Sequence, residues 1–288
     1  MSAQQVLFDA PGPKGKRRIM IGNIAGVLLM LGLLGWVVAA LAGQGQFEPA
    51  KWTPFLEMRT WEFFILPGLL STLKAAAVAV VTSILFGLLF GVGRLSHLAP
   101  VRWFAGLVVE FLRAVPVLLM MIFLWLALAQ VDFIEDPIFV AVVTALTLYN
   151  GSVIAELVRS GVHGLPKGQR EAGMAIGMTP GQSLRSIEIP QALVAMLPAM
   201  VSQFVVILKD SALGYIIGYA ELLQFSRRLG VGEGNLLQSL LIAAVIFILI
   251  NFALSSAANK LSTLLSFRTG RKVKKAEDPE LSAATPAT

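Results

Sequence analysis

Apolar residues fall in six long runs separated by short polar connections. A helix needs about 20 apolar residues to cross the hydrocarbon core. Residues 19–42, 66–92, 112–131, 137–157, 192–217 and 236–258 meet that length and predict six spans. Lys74 interrupts the second run, and Lys209 and Asp210 sit in the fifth. Residues 98–112 carry Arg102, Trp103 and Glu110 ahead of Pro116. That pattern predicts an amphipathic stretch at the interface, with Trp103 at headgroup level. No internal repeat stands out.

Composition agrees with an all-α polytopic membrane protein. Of 288 residues, 56% are hydrophobic and 14% charged, against about a quarter charged in an average soluble domain. The formal charge of +6 sits mainly in connections and tails, which fits membrane topology better than a nucleic-acid surface. The absence of cysteine excludes disulfides and thiolate metal sites. Neither His97 nor His163 has a partner at metal-ligand spacing, so no metal site is expected.

Orientation follows from lysine and arginine. A cytoplasmic N-terminus places Lys14, Lys16, Arg17 and Arg18 inside. The same choice places Arg94, Arg102, Arg159, Lys167, Arg170, Arg185 and the basic run from Arg268 to Lys275 inside. The acidic connection Asp132, Glu135 and Asp136 then faces out, with Lys51, Arg59, Arg227 and Arg228. Both termini are expected in the cytoplasm: a tail over 1–18 and a disordered tail over 268–288. Ala40-Leu41-Ala42 has the form of a signal-peptidase site. The preceding run exceeds the about 7–15 residues of a signal segment, so an uncleaved anchor is expected.

The most informative stretch is EAGMAIGMTPGQSLRSIEIP, residues 171–190. Glu171, Ala172, Gly173, Gly177, Ile187, Ile189 and Pro190 form a fixed pattern in a polar island between two spans. Its turn residues predict a short helix from about Lys167 to Met178, a reversal at Gly177, and a helix start at Pro180. Pro190 is expected to end or kink that second helix. A small-residue surface at Ala172, Gly173 and Ala175 allows close seating against a partner, and Glu171 offers it a charge.

This pattern resembles the coupling loop of ABC-importer permeases. Glu110–Leu118, Ile154–Gly161, Leu165–Ala172, Ile189–Ala192, Leu197-Pro198 and Gln203–Leu213 are similar to segments of the polar amino acid uptake family, the histidine, glutamine and glutamate type. The resemblance spans about 66–260, and the overall wording is most similar to its glutamate-uptake members. It implies a five-helix type I importer core at 66–260, containing the coupling loop 159–190, with the helix at 19–42 added in front. It further implies an ATP-binding subunit dimer, a second permease subunit, identical or paralogous, and an extracytoplasmic amino-acid-binding protein. Glu171, Ala172, Gly173, Gly177, Ile187 and Pro190 would contact the ATPase or shape the contact. The second alanine usual in that pattern is Gly173 here. No phosphate-binding G-x-x-x-x-G-K-[ST] motif occurs, so ATP and magnesium are expected on the partner, with no cofactor bound directly and no catalytic residue here.

Ionisable and polar groups inside spans are candidates for the path. Lys209, Asp210, Gln203 and Asn150 are the ones named. Lys209 and Asp210 are about 100° apart on a helix, so each reaches a different partner. They either line the path, one toward a carboxylate and one toward an ammonium, or pair with a neighbouring helix. Glu156 and Arg159 are spaced to pair with each other. Gly87, Gly91 and Gly93 suit close helix packing, and Lys74 reads as an interfacial or gate-side residue. An ion-gradient-driven amino-acid transporter is the alternative, and only Asp210 offers the buried carboxylate it would need.

Overall fold

The computed structural model describes residues 12–268, and every described element is helical. Ten helices are used below: α1 Pro13–Gly43, α2 Leu66–Arg94, α3 Ala99–Ala114, α4 Val117–Leu128 and α5 Pro137–His163. The remainder are α6 Gly168–Ala175, α7 Pro180–Ser183, α8 Ile189–Asp210, α9 Leu222–Gly232 and α10 Leu236–Arg268. Five helical stretches are long and apolar enough to span, and the bent pair α3–α4 makes a sixth.

The centre of the bundle is the pair α2–α5, which run parallel. Small residues face one another there: Ala75 and Ala79 on α2, Ala141 and Ala145 on α5, all fully buried. A β-carbon at Gly87 would stand 2.9 Å from the Gly151 carbonyl, and one at Gly91 2.9 Å from Val158 Cβ. These glycines therefore allow contact within the chain, the close packing that their spacing predicts. Ser83 and Thr82 face Leu146 and Thr147 across the same seam. The antiparallel helix α8 closes on α5, with Gly161 facing Met196 and Ala192.

The third span departs from the expected unbroken 112–131. α3 and α4 meet at 100°. Pro116 forces Val115 into an extended conformation (φ −85°, ψ 127°), and the chain leaves the helix there. α4 has 12 residues, about 18 Å of rise, less than the hydrocarbon thickness. Val131 lies beyond its end. α3 covers the predicted amphipathic stretch and leaves Trp103 76% exposed.

The fifth span is also shorter than 192–217 as a helix. α8 stops at Asp210 and continues as a 3-10 segment, Ser211–Ile217, closed by Gly218 at φ 88°. Pro190 does not end the chain's helical path. A π turn, Leu184–Glu188, precedes it and carries α7 into α8. The wider turn accommodates the ring that would strike the carbonyl four residues back. α9 had no counterpart among the predicted spans.

α1 stands apart, with no buried residue. It is helical from Pro13, so Lys14 to Arg18 belong to the helix and not to a tail. The segment after it is fixed to the bundle: Asn235 Nδ2 donates to the Lys51 carbonyl at 3.1 Å, and Gln238 to that of Gln46. Residues 1–11 and the C-terminal tail predicted from 268 onward lie outside the described residues beyond Arg268.

Candidate functional site

α6 is closed at its C-terminus by a tight turn, and the helix that follows is capped at its start. At its C-terminus the Met178 N–H donates to the Gly173 carbonyl at 3.1 Å, and the Gly177 N–H to that of Met174 at 3.0 Å. This is the Schellman pair, and it places Gly177 at φ 87°. Two residues later Thr179 starts α7 with a capping box. Its backbone N–H donates to Gln182 Oε1 at 2.8 Å, and its hydroxyl accepts from the Gln182 N–H at 3.4 Å. Pro180 takes the first helical position, where its missing N–H costs nothing. The helix expected over 167–178 is thus Gly168–Ala175 with its cap.

The two legs are held face to face by Gly173. A β-carbon there would lie 3.0 Å from Ile187 Cδ1 and 3.0 Å from Ser183 Oγ. Gly173 is buried, so it does not belong to an outward small-residue surface. Its lack of a side chain lets the legs approach each other. Ile187 is the half-buried residue that receives it, a packing position and not an exposed one. Ser183 donates to the buried Glu188 carboxylate at 3.0 Å, and Gln191 donates to Gln169 at 3.0 Å across the hairpin.

Glu171, Ala172, Ala175 and Pro190 are exposed. Beside them stand Met174, 48% exposed, and Ile176, 78% exposed. These two apolar side chains escaped the sequence reading. Their signal was available: apolar residues inside an otherwise polar loop have no reason to face water unless a partner covers them.

An ion cluster anchors the root of this hairpin. Arg159 Nη2 lies 2.7 Å from Glu156, the pair expected from spacing. Arg94 of α2 also reaches Glu156 at 2.7 Å and Glu110 of α3 at 2.9 Å, with Arg113 at 3.7 Å from Glu156. Three charged groups from α2 and α3 and two from α5 thus meet where α5 enters the hairpin. Sequence spacing reveals only pairs on one helix, so the contributions of Arg94, Glu110 and Arg113 were not visible.

The four path candidates divide into two groups. Gln203 Nε2 donates to Asn150 Oδ1 at 2.6 Å, and Asn150 Nδ2 donates to the Leu146 carbonyl at 2.9 Å. Asn150 is fully buried, so this pair links α5 to α8. Asp210 lies seven residues beyond Gln203, on the same face of α8. Lys209 is exposed on another face, and no carboxylate approaches it within bonding distance among the described residues. Lys74 rests its ammonium 4.7 Å from the Phe139 ring centroid.

At the opposite end of the bundle, Glu221 caps α9. Its carboxylate accepts from Leu223 N–H at 2.8 Å and Gln224 N–H at 2.7 Å. Burial pushes this carboxyl up to about 7, against the opposing pull of those two bonds. Tyr219 donates to the Ser71 carbonyl at 2.9 Å. Burial, with the charges of Asp136 and Glu221, holds its hydroxyl up at about 12. No group of three His, Asp or Glu suited to a metal exists among the described residues.

The described residues thus form a bundle of long apolar helices with an exposed, capped hairpin at one end. The comparisons give the family. Residues 83–265 match the model of the binding-protein-dependent transport system inner membrane component, and the chain belongs to that family. It is 45% identical to the glutamate transport system permease protein GluD of Corynebacterium glutamicum, over 83% of this chain and 89% of that one. It is 32% identical to the glutamate/aspartate import permease protein GltK of Escherichia coli O157:H7, over 72% and 93%. The solved structure described as an amino acid ABC transporter with histidines is similar at 30% identity and a TM-score of 0.66, over 74% and 98%. The chain is therefore the membrane-spanning permease subunit of a bacterial ABC importer, resident in the plasma membrane. Its family works with an ATPase on another chain, a substrate-binding protein and a second permease.

Proposed function

We propose that this subunit imports glutamate and that the α6–α7 hairpin is its contact with the ATPase. The observation that carries the coupling reading is the geometry of α6. It is short, capped at its end, exposed along Glu171, Ala172, Met174 and Ile176, and rooted in the ion cluster through α5. A block so held moves as one body, so a push on its outer face reaches α5 and α8 together. Glu171 meets a basic group on the ATPase, while Met174 and Ile176 seat in an apolar groove. The basic residues at the hairpin end place that end in the cytoplasm, with both termini.

ATP and magnesium are held by a dimer of ATP-binding subunits. Closure of that dimer draws the hairpins of two permeases together, identical or paralogous, and opens the path to an extracytoplasmic amino-acid-binding protein. Asp210 and the half-buried Gln203, on one face of α8, offer the polar lining, and buried Asn150 holds Gln203 in place. Lys209 supplies a cation for a substrate carboxylate. Glutamate is favoured by the relatives that carry that word in their names.

Co-purification in mild detergent tests this. The wild-type chain should bring down an ATPase, and Glu171→Arg should weaken recovery about tenfold or more, since reversing an interface charge costs several kcal/mol. Reconstituted with the binding protein, the complex should take up labelled glutamate only with ATP. Equal recovery with both chains would remove α6 as the contact, and uptake of glutamine in preference to glutamate would remove the substrate.

A further inference from the structure

A cavity of about 410 Å³ lies between the α2–α3 connection and the first leg of the hairpin. Arg94, His97 and Arg102 line it on one side, Lys167 and Arg170 on the other, and Glu188 is its one carboxylate. Two of these charged groups have partners. Arg94 is satisfied by Glu110 and Glu156. Glu188 is buried and accepts the Ser183 hydroxyl.

Arg102, Lys167 and Arg170 are different. No carboxylate lies within 4.0 Å of any of them among the described residues. Arg102 Nη1 donates to the Ser96 carbonyl at 3.0 Å, which fixes the guanidinium at the cavity without neutralising it. Three exposed cations without a carboxylate partner, set around one concave surface, give it a positive potential.

The surroundings point to phosphate chemistry. α3 begins at Ala99 beside the cavity, turns 100° from α4, and exposes Val101, Trp103 and Phe104. An exposed apolar and aromatic start on a helix bent away from its span lies in the headgroup layer. That places the cavity mouth at the depth of lipid phosphates, where basic pockets between helices take anionic headgroups.

We infer that this cavity binds a phosphate-bearing anion, held by Arg102, Lys167 and Arg170. The anion is the phosphodiester of an anionic lipid headgroup or a soluble phosphate that enters from the same side. Arg102 belongs to the α2–α3 side and Lys167 and Arg170 to the hairpin, so the bound anion bridges the bundle and α6. On the coupling reading above, its occupancy sets how freely α6 moves, but binding itself does not depend on that reading.

The test uses the full-length chain in phosphatidylcholine nanodiscs, with the melting temperature as readout. Phosphatidylglycerol is substituted stepwise in one series, and inorganic phosphate is added in another. The wild type should show a saturable rise in at least one series. Arg102→Gln and Arg170→Gln should each demand about fivefold more probe, the worth of one cation near the surface. Arg185→Gln, exposed but outside the cavity, should match the wild type. Lys167→Gln serves as a third variant, and melting without probe shows that each chain is folded. A rise with phosphatidylglycerol alone assigns the lipid, and a rise with inorganic phosphate assigns the soluble source. No rise in either series, or an equal loss in Arg185→Gln, overturns the site.

Discussion

Glu221 is a buried carboxylate whose hydrogen bonds, among the described residues, come from two backbone N–H groups. Its folded pKa of about 7 stands above the value of 4.5 it has when unfolded. The folded state therefore holds more protons between those values. Its stabilising contribution is complete below about pH 4.5 and is lost as pH rises through about 7. The difference is on the order of 3 kcal/mol. The melting temperature of the purified chain should fall between about pH 5.5 and pH 8, and Glu221→Gln should flatten that fall. An unchanged slope in the variant would mean that another group titrates. Glu156 presents the opposite case, a carboxylate that gathers three guanidinium groups. Arg94 is 12% exposed and Glu156 21%, so Glu156→Gln leaves a nearly buried cation poorly paired. The cost should be about 1–3 kcal/mol, below that of a fully buried pair. Arg159, at 34% exposure, should cost less when changed to Gln. Chemical unfolding of the three chains orders them. Glu156–Arg159 was read from sequence because three-residue spacing on a helix brings side chains together without any help from the fold; Glu110 and Arg113 share that spacing, while the arrival of Arg94 depends on packing.

The hairpin is where local rules were most informative. Gly177, Thr179, Pro180 and Gln182 each act within four residues of their partners, so turn, cap and helix start could all be read directly. Gly177→Ala should isolate the turn. Nothing stands within 4 Å of a β-carbon there, so the penalty is the positive φ alone, about 1 kcal/mol. ATP hydrolysed per amino acid imported should rise while the melting temperature of the bundle stays near wild type. A normal ratio would show that α6 works without its cap. Gly173 was read less well. As a small residue it suggested an outer surface, but its facing partners Ser183 and Ile187 arrive from the second leg. α4 illustrates the same limit. Arg113 and Pro116 interrupt its apolar run, so a break before α4 was open to sequence reasoning, whereas the 100° angle between α3 and α4 was not.

α1 contributes no buried residue to the bundle, and the chain is fastened after it, at Gln46 and Lys51. A chain beginning near Gln44 should therefore insert, co-purify with the ATPase and melt within about 2 °C of the full protein, as a ΔΔG near zero requires. Loss of ATPase recovery would assign α1 a place in the assembly. Sequence by itself determined the all-helical membrane class, the apolar runs, and the place of the hairpin with its reversal at Gly177 and helix start at Pro180. Those features follow from hydrocarbon thickness, which counts apolar residues, and from turn chemistry, which acts between near neighbours. Tertiary structure alone decided that α2 and α5 run parallel through glycine contacts, that Asn150 and Gln203 spend their polarity on each other, and that Arg94 joins Glu110 to Glu156. It also decided which cations near the hairpin stay unpaired. Each of these depends on residues far apart in the chain, whose meeting is set by how the helices pack.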